Sequence, residues 1–174
     1  MSPSFSIRIP HGDDRKRRVC DDCGFIDYVN PKIIAGAVVT KGDKILLCKR
    51  AIEPRRTFWT LPAGFMEEGE SVEDGAKREA HEEANAIIDI DRVLSIYSVP
   101  RISQVQIMFR ATLQSDISAG PESLEVQLFD WKDIPWSELA FPTVVWALTH
   151  FAQTRHLTGF APFTNPSGTE TLSG

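Results

Sequence analysis

The order of apolar and polar positions along the chain predicts strands mixed with two helices. Short runs rich in apolar and β-branched residues, each bounded by turn-forming residues, are typical of strands. The turn Lys41-Gly42-Asp43 joins the first two runs and predicts a hairpin. Strands mixed with helices indicate an α/β or α+β domain. The predicted strands are residues 33–40, 44–50, 94–99, 105–113 and 126–131.

The two predicted helices cover residues 72–84 and 142–155. Ser71 with Asp74 three residues later is a typical helix start, since the serine can cap the first turn. Asn85 can end the same helix, because asparagine tolerates the left-handed conformation that often follows a last turn. In the second helix, apolar residues recur at helical spacing.

The two ends of the chain show neither the apolar runs of the predicted strands nor the helical spacing of the predicted helices. Residues 1–19 are polar and mix both charges, which predicts an irregular segment. Residues 165–174 are small and polar, which predicts a mobile tail.

Composition narrows the function classes. The chain has 174 residues, 42% hydrophobic and 25% charged, which is the balance of a globular protein. Its longest apolar stretch, residues 33–39, falls far short of the roughly 20 residues of a membrane span. Arg8 and Asp13 interrupt the start of the chain, so we expect no secretory signal. A net charge of −5 disfavours non-specific binding to nucleic acid. Only three cysteines suit a reducing compartment, and we expect a cytoplasmic protein.

Three glutamates share one side of the predicted helix 72–84. Glu79, Glu82 and Glu83 fall within an arc of about 100°. Like charges at this spacing repel one another, a cost that a cation between them would remove. Mg²⁺ prefers such oxygen ligands and often bridges carboxylates to substrate phosphates. A solvated acidic face is the alternative.

The segment around these glutamates resembles the Nudix box, in which glycine, glutamate and arginine recur at fixed spacing over 23 residues. Asn85 is the one departure, because the family has glycine there. Asparagine also reaches a positive φ, so we expect the helix end to survive. The matching residues are Gly64, Glu70, Arg78, Glu79, Glu82 and Glu83, with Ala80 and Ala86 at the aliphatic positions.

The resemblance covers residues 31–155 and implies an α/β/α sandwich around a mixed sheet. Residues 1–30 are then an N-terminal extension with a CxxC motif, and residues 156–174 a C-terminal tail. Members of the family hydrolyse a nucleoside diphosphate linked to another group. The implied partner is therefore a small nucleotide diphosphate, and a homodimer is an open alternative. The composition predicts no membrane partner and disfavours nucleic acid.

The resemblance also implies a role for each residue of the box. Glu79, Glu82 and Glu83 would be catalytic and hold Mg²⁺ or Mn²⁺ ions, with the backbone carbonyl of Ala63 as a further ligand. Arg78, four residues before Glu82, would orient the glutamates. Glu70 would tie the preceding loop to the helix.

Further residues are predicted outside the metal cluster. In relatives, the general base often comes from a late loop or strand. Glu125 is the predicted base here; Glu122 is the alternative, and either could instead be a metal ligand or a solvated loop residue. The predicted substrate contacts are Arg50, Trp59 and Gly64.

Cys20-x-x-Cys23 resembles part of a zinc ribbon found before some Nudix domains. A structural zinc site needs four ligands and this motif supplies two, so we expect well below one zinc per chain unless another chain completes the set. The subclass includes NADH pyrophosphatases and FAD/ADP-ribose pyrophosphatases. Residues 47–50, 58–64 and 120–125 resemble the latter, and the SQPWPFPxS motif of the NADH enzymes is absent.

The predicted activity is metal-dependent cleavage of an ADP-containing dinucleotide or ADP-sugar, such as FAD or ADP-ribose, releasing AMP. The alternatives within the fold are an NADH pyrophosphatase, another nucleoside-diphosphate hydrolase, an RNA-decapping enzyme, or a catalytically silent module that binds a nucleotide. A CxxC module for nucleic-acid or protein interaction is the alternative from a different class.

Overall fold

The computed structural model describes residues 2–169, and contacts divide the chain into two compact units, Met1–Pro31 and Lys32–Gly174. The first unit is a three-stranded antiparallel sheet, so the prediction of an irregular segment over residues 1–19 is wrong. Its charged side chains pack on aromatic rings, as where the Arg18 guanidinium lies 4.3 Å from the Phe5 ring centroid. The strands are β1 (Phe5–Arg8), β2 (Arg17–Cys20) and β3 (Ile26–Asp27), in the order β1-β2-β3.

A seven-stranded mixed sheet forms the centre of the second unit. Its strands are β4 (Lys32–Lys41), β5 (Lys44–Arg50), β6 (Trp59–Thr60), β7 (Ala63–Phe65), β8 (Ile88–Val99), β9 (Gln104–Leu113) and β10 (Ser123–Asp130). The main path is β10-β5-β4-β9-β8, with β6 beside β5 and β7 beside β4. Strands β4 and β9 run parallel, whereas the other pairs are antiparallel.

The predicted hairpin is present, but it opens soon after its turn. Strands β4 and β5 pair only through Thr40 with Ile45 and Lys41 with Lys44. Further along, β7 pairs with β4 and β6 with β5. This opening inserts the segment that carries Ala63 next to the centre of the sheet.

Two helices cover opposite faces of the sheet, as the alternation along β4 shows. Ala37 and Val39 join an apolar cluster with the alanines of α1 (Val72–Ala84). Val38, between them, joins a second cluster with α2 (Pro142–Thr154). This arrangement confirms the α/β/α sandwich around a mixed sheet. None of the helices within residues 2–169 is long and apolar enough to cross a membrane.

Part of the segment predicted as a tail, residues 156–174, returns to the sheet. The Phe163 amide donates to the Leu94 carbonyl (2.9 Å), and the Phe163 carbonyl accepts from the Ile96 amide (2.9 Å). Phe163 also packs on the apolar cluster under α2, which explains why this stretch is held. Residues 170–174 lie outside the described part of the chain.

Candidate active site

Helix α1 begins and ends where the sequence predicts. The Ser71 hydroxyl oxygen accepts from the Asp74 amide (3.1 Å) at the first turn. Asn85 follows the last turn at φ 48°, which confirms that asparagine takes over the left-handed position of the box glycine. The alanines of α1 pack on the sheet and bring Glu79 and Glu83 to its surface, where both carboxylates are buried.

Glu83 is more deeply buried than Glu79, the other buried acidic group of the site. It is 6% exposed, and its Oε2 atom is buried without a hydrogen-bond partner. Burial, and then the nearby charge of Glu79, raise the pKa of Glu83 to about 8, while Arg50 and the Ala63 amide act in the opposite direction. A buried carboxylate oxygen without a partner is costly, and a bound cation would remove that cost.

Glu79 lies directly against the backbone of Gly64. A methyl group at residue 64 would overlap the Glu79 carboxylate, so only glycine leaves room for it there. Burial raises the pKa of Glu79, although Arg78 donates to its Oε1 atom (2.7 Å) and opposes the shift. In the structure, the Gly64 backbone therefore packs against the Glu79 carboxylate.

Arg78 connects the acidic residues of the box with the loop before the helix. All five N–H groups of its guanidinium donate: two to Glu70 (3.0 and 2.9 Å) and one to the Phe65 carbonyl (2.9 Å). The other two go to Glu79 (2.7 Å) and to Glu82 (2.9 Å). Arg78 holds the pKa of Glu70 at about 2. The predicted contacts of Arg78 and Glu70 are therefore present in the structure.

The two late glutamates differ in their surroundings. Glu122 lies close enough that its charge raises the pKa of both Glu79 and Glu83. Glu125 lies on β10 opposite Lys49, with which it forms an ion pair (3.8 Å). Glu122 precedes β10, and a register shift between Ser123 and Glu125 places Glu125 opposite Lys49. The charge of Glu122 therefore acts on both buried glutamates, whereas Glu125 is paired with Lys49.

Two of the predicted substrate contacts, Arg50 and Trp59, have different surroundings in the structure. Arg50 lies near Glu83, whose pKa its charge lowers, and its guanidinium stands 5.2 Å from the Phe141 ring centroid. Trp59 is 5% exposed and packs edge-on against Phe129 (4.9 Å between centroids). Because its ring is in the core, Trp59 offers little surface for a nucleotide base to stack on.

The acidic residues fit a divalent cation only partly as they stand. Within residues 2–169, no three His, Cys, Asp or Glu side chains form a ready cluster of metal ligands. The geometry gives the reason, since Arg78 draws Glu82 and one oxygen of Glu79 towards itself. The unpartnered Oε2 of Glu83 beside Glu79 is nevertheless suited to a hard cation.

Among the residues that the structure describes, Cys20 and Cys23 belong to no group of three or more His, Cys, Asp or Glu side chains that could hold a metal ion. Cys20 is buried and Cys23 exposed, and the strand opposite Cys20 presents Phe5. The serine hydroxyls on either side of Phe5 donate to Asp21 (3.0 and 2.7 Å). The two thiols supply only two of the four ligands that a structural zinc ion needs.

Comparison with known proteins places the chain in a family. Residues 30–148 match the family model described as NUDIX domain, and residues 3–29 match the one described as Nudix N-terminal, a zinc-ribbon family. The chain therefore belongs to the Nudix hydrolase family.

Three relatives illustrate the similarity. The chain is 34% identical to an ADP-ribose pyrophosphatase of Methanocaldococcus jannaschii, over 66% of this chain and 69% of that protein. It is 32% identical to the NAD-capped RNA hydrolase NudC of Pseudomonas putida, over 67% of this chain but only 42% of that protein. A NUDIX hydrolase from Nitrosomonas europaea, known from its crystal structure, is 44% identical, with a TM-score of 0.88 over 94% of this chain and 95% of the other.

Proposed function

We propose that this protein hydrolyses the diphosphate bond of an ADP-sugar or ADP-containing dinucleotide, such as ADP-ribose or FAD, and releases AMP. The observation that carries the proposal is the buried carboxylate of Glu83, with an unpartnered oxygen, beside Glu79 and near Glu122. Two adjacent buried carboxylates, with the charge of a third glutamate acting on both, favour a reaction on a substrate neutralised by cations. The archaeal ADP-ribose pyrophosphatase supports the substrate class.

In this proposal, Glu79, Glu82, Glu83 and the Ala63 carbonyl would hold Mg²⁺ or Mn²⁺. Such an ion would supply charge neutralisation for the diphosphate and would help to activate water. Arg78 keeps Glu79 and Glu82 in fixed orientations through its two Nη1 hydrogen bonds. Since Gly64 lets the Glu79 carboxylate lie against the backbone, this ligand needs no rearrangement of the loop.

We assign the general base to Glu122. A base must lie within reach of the attacking water, and Glu122 is the late glutamate whose charge acts on Glu79 and Glu83. Glu125, predicted for this role, is engaged with Lys49. Arg50, whose charge also reaches Glu83, is assigned to bind the substrate's phosphates. No substrate contact is assigned to the buried Trp59.

A substrate panel tests the proposal. ADP-ribose, FAD, NADH, diadenosine polyphosphates and deoxynucleoside triphosphates are incubated with the full chain and Mg²⁺ or Mn²⁺, and the products are separated by chromatography. We expect AMP from ADP-ribose or FAD. A kcat/KM for any deoxynucleoside triphosphate tenfold above both, about 1.4 kcal/mol of transition-state preference, would contradict the assignment.

Two other outcomes have specific meanings. Faster cleavage of NADH would favour the alternative of an NADH pyrophosphatase. Nucleotide binding without turnover of any compound would indicate a silent module. The predicted homodimer and cytoplasmic location stay predictions.

A further inference from the structure

The loop at residues 118–120 docks onto the C-terminal end of α1. The Ser118 amide donates to the Ala84 carbonyl (3.0 Å), and the Gly120 amide donates to the Glu83 carbonyl (3.0 Å). A methyl group at residue 120 would overlap the Glu82 carbonyl oxygen, so the loop backbone touches the helix. The loop thus satisfies carbonyls that a helix end leaves without an intrahelical partner. It does so in the turn that carries two of the acidic residues.

Asn85 adds a side-chain link between the same two elements. Its backbone ends the helix in the left-handed conformation, with its amide donating to the His81 carbonyl (2.8 Å). Its carboxamide Nδ2 donates to both the carbonyl and the hydroxyl of Ser118 (3.1 Å each). Glycine, the box residue at this position, would supply the backbone conformation but not these bonds.

The docked loop leads directly to Glu122. The Gly120 carbonyl accepts from the Ser123 amide (3.1 Å), and the Glu122 carbonyl accepts from the Ala51 amide (2.8 Å). Two hydrogen bonds therefore hold the backbone around Glu122. One lies within the 118–123 segment, and the other joins Glu122 to Ala51, which follows β5. A shift of the loop away from Asn85 would move Glu122 relative to Glu83.

We propose that Asn85 is a positioning residue: its carboxamide holds the 118–120 loop against α1 and thereby fixes Glu122 beside Glu79 and Glu83. This inference rests on the proposed function, in which Glu122 accepts the proton of the attacking water. Asn85 itself touches no reacting atom. The substitution of glycine by asparagine in the box thus gives this chain a link that its helix end would otherwise lack.

Asn85→Gly separates this role from simple helix capping. Glycine takes up the left-handed conformation at least as readily, so the helix end is kept while the carboxamide bonds are lost. Ser103→Gly is the matched control, because Ser103 also has a positive φ (50°) and follows a short helical turn at Pro100–Ile102. We expect wild-type activity from the control.

A double-mutant cycle with Glu122→Gln tests whether Asn85 acts through Glu122. The full-length variants are assayed for kcat and KM with ADP-ribose and Mg²⁺, and their melting temperatures are recorded. We expect Asn85→Gly to lower kcat about tenfold, with KM and melting temperature little changed. We expect Glu122→Gln to lower kcat further, and the double variant to be no slower than Glu122→Gln alone.

The outcomes separate the two levels of the proposal. Wild-type kcat in Asn85→Gly, or a double variant slower by the full additional tenfold, overturns the positioning role and leaves the general base in place. Wild-type kcat in Glu122→Gln overturns the base assignment and the positioning role together. If Asn85→Gly melts much lower than wild type, Asn85→Asp serves instead, because it keeps the side-chain shape but has no N–H donors. It is expected to lower kcat in the wild-type background and not in the Glu122→Gln background.

Discussion

Replacing Arg78 by methionine tests whether one guanidinium holds the acidic site together. Methionine keeps most of the side-chain volume but removes the charge and all five donors. Glu79, 9% exposed, then loses the cation that donates to its Oε1 atom (2.7 Å). Removing one partner of a buried ion pair costs about 3–5 kcal/mol, because the remaining charge has no partner.

The expected loss lies at the lower end of that range. The side chain of Arg78 is 23% exposed and that of Glu79 is 11% exposed, so the pair is not fully buried. Glu82 is 53% exposed, so its bond to Arg78 adds little. We therefore expect Arg78→Met to lower the free energy of unfolding by about 3 kcal/mol. For a chain of this size, that corresponds to a fall in melting temperature of about 6–12 °C.

Urea unfolding in the presence of EDTA measures this difference without a contribution from bound metal. The unfolding midpoint should fall while the dependence on urea concentration stays the same. Arg101→Met, at an exposed position, is the control and should stay within about 0.5 kcal/mol of wild type. Arg78→Lys should fall between, since it restores the charge but has only three donors. A midpoint of Arg78→Met equal to that of wild type would refute the reasoning.

Three further predictions follow from other contacts. Gly64→Ala should reduce turnover of ADP-ribose by about tenfold or more, because its methyl group displaces the Glu79 carboxylate; unchanged steady-state kinetics would contradict this. Asp91→Asn should be less stable than wild type at pH 7. The bond from Arg92, ahead of other causes, lowers the pKa of Asp91, so its contribution is present above about pH 3.8 and is lost as the pH falls below it; a gap that persists in acid would contradict this. Elemental analysis should find well below one zinc per chain, and a stoichiometric signal removed by Cys20→Ser would show that other ligands complete the site.

The helix at the centre of the site could be predicted because its signals are local. Ser71 and Asn85 mark its two ends by side-chain chemistry that depends only on neighbouring residues. Five of the seven strands of the main sheet are similarly visible, because their apolar runs face two covering helices, whereas the short strands β6 and β7 were not predicted. Strands β1 to β3 escape such a prediction, since they are short and carry the charged residues Arg17 and Arg18.

The choice between Glu122 and Glu125 depends on contacts that the sequence does not display. The two residues are three positions apart, and the register shift between Ser123 and Glu125 places Glu125, rather than Leu124, opposite Lys49. The docking of Gly120 on the helix end is likewise tertiary. A signal was present in the box itself, because asparagine in place of glycine adds a hydrogen-bonding group, but its partner Ser118 lies 33 residues away.

For Trp59, the sequence did not show whether the side chain faces the core or the substrate site. Its place beside the box suggested a contact with substrate, yet its ring packs on Phe129 in the core. In the sequence, an aromatic residue of a strand looks the same whether it packs in the core or contacts a substrate. Only the direction of the side chain, which the sheet sets, distinguishes them.

The most direct test of the proposed active site is the rate of AMP formation from ADP-ribose by Glu83→Gln, measured with Mg²⁺ against wild type. Glu73→Gln, on the same helix but exposed, is the matched control. The proposal predicts that Glu83→Gln remains folded and forms AMP at least about 100-fold more slowly, a loss of about 2.7 kcal/mol in transition-state stabilisation, while the control is unchanged. AMP formation by Glu83→Gln at the wild-type rate would contradict it.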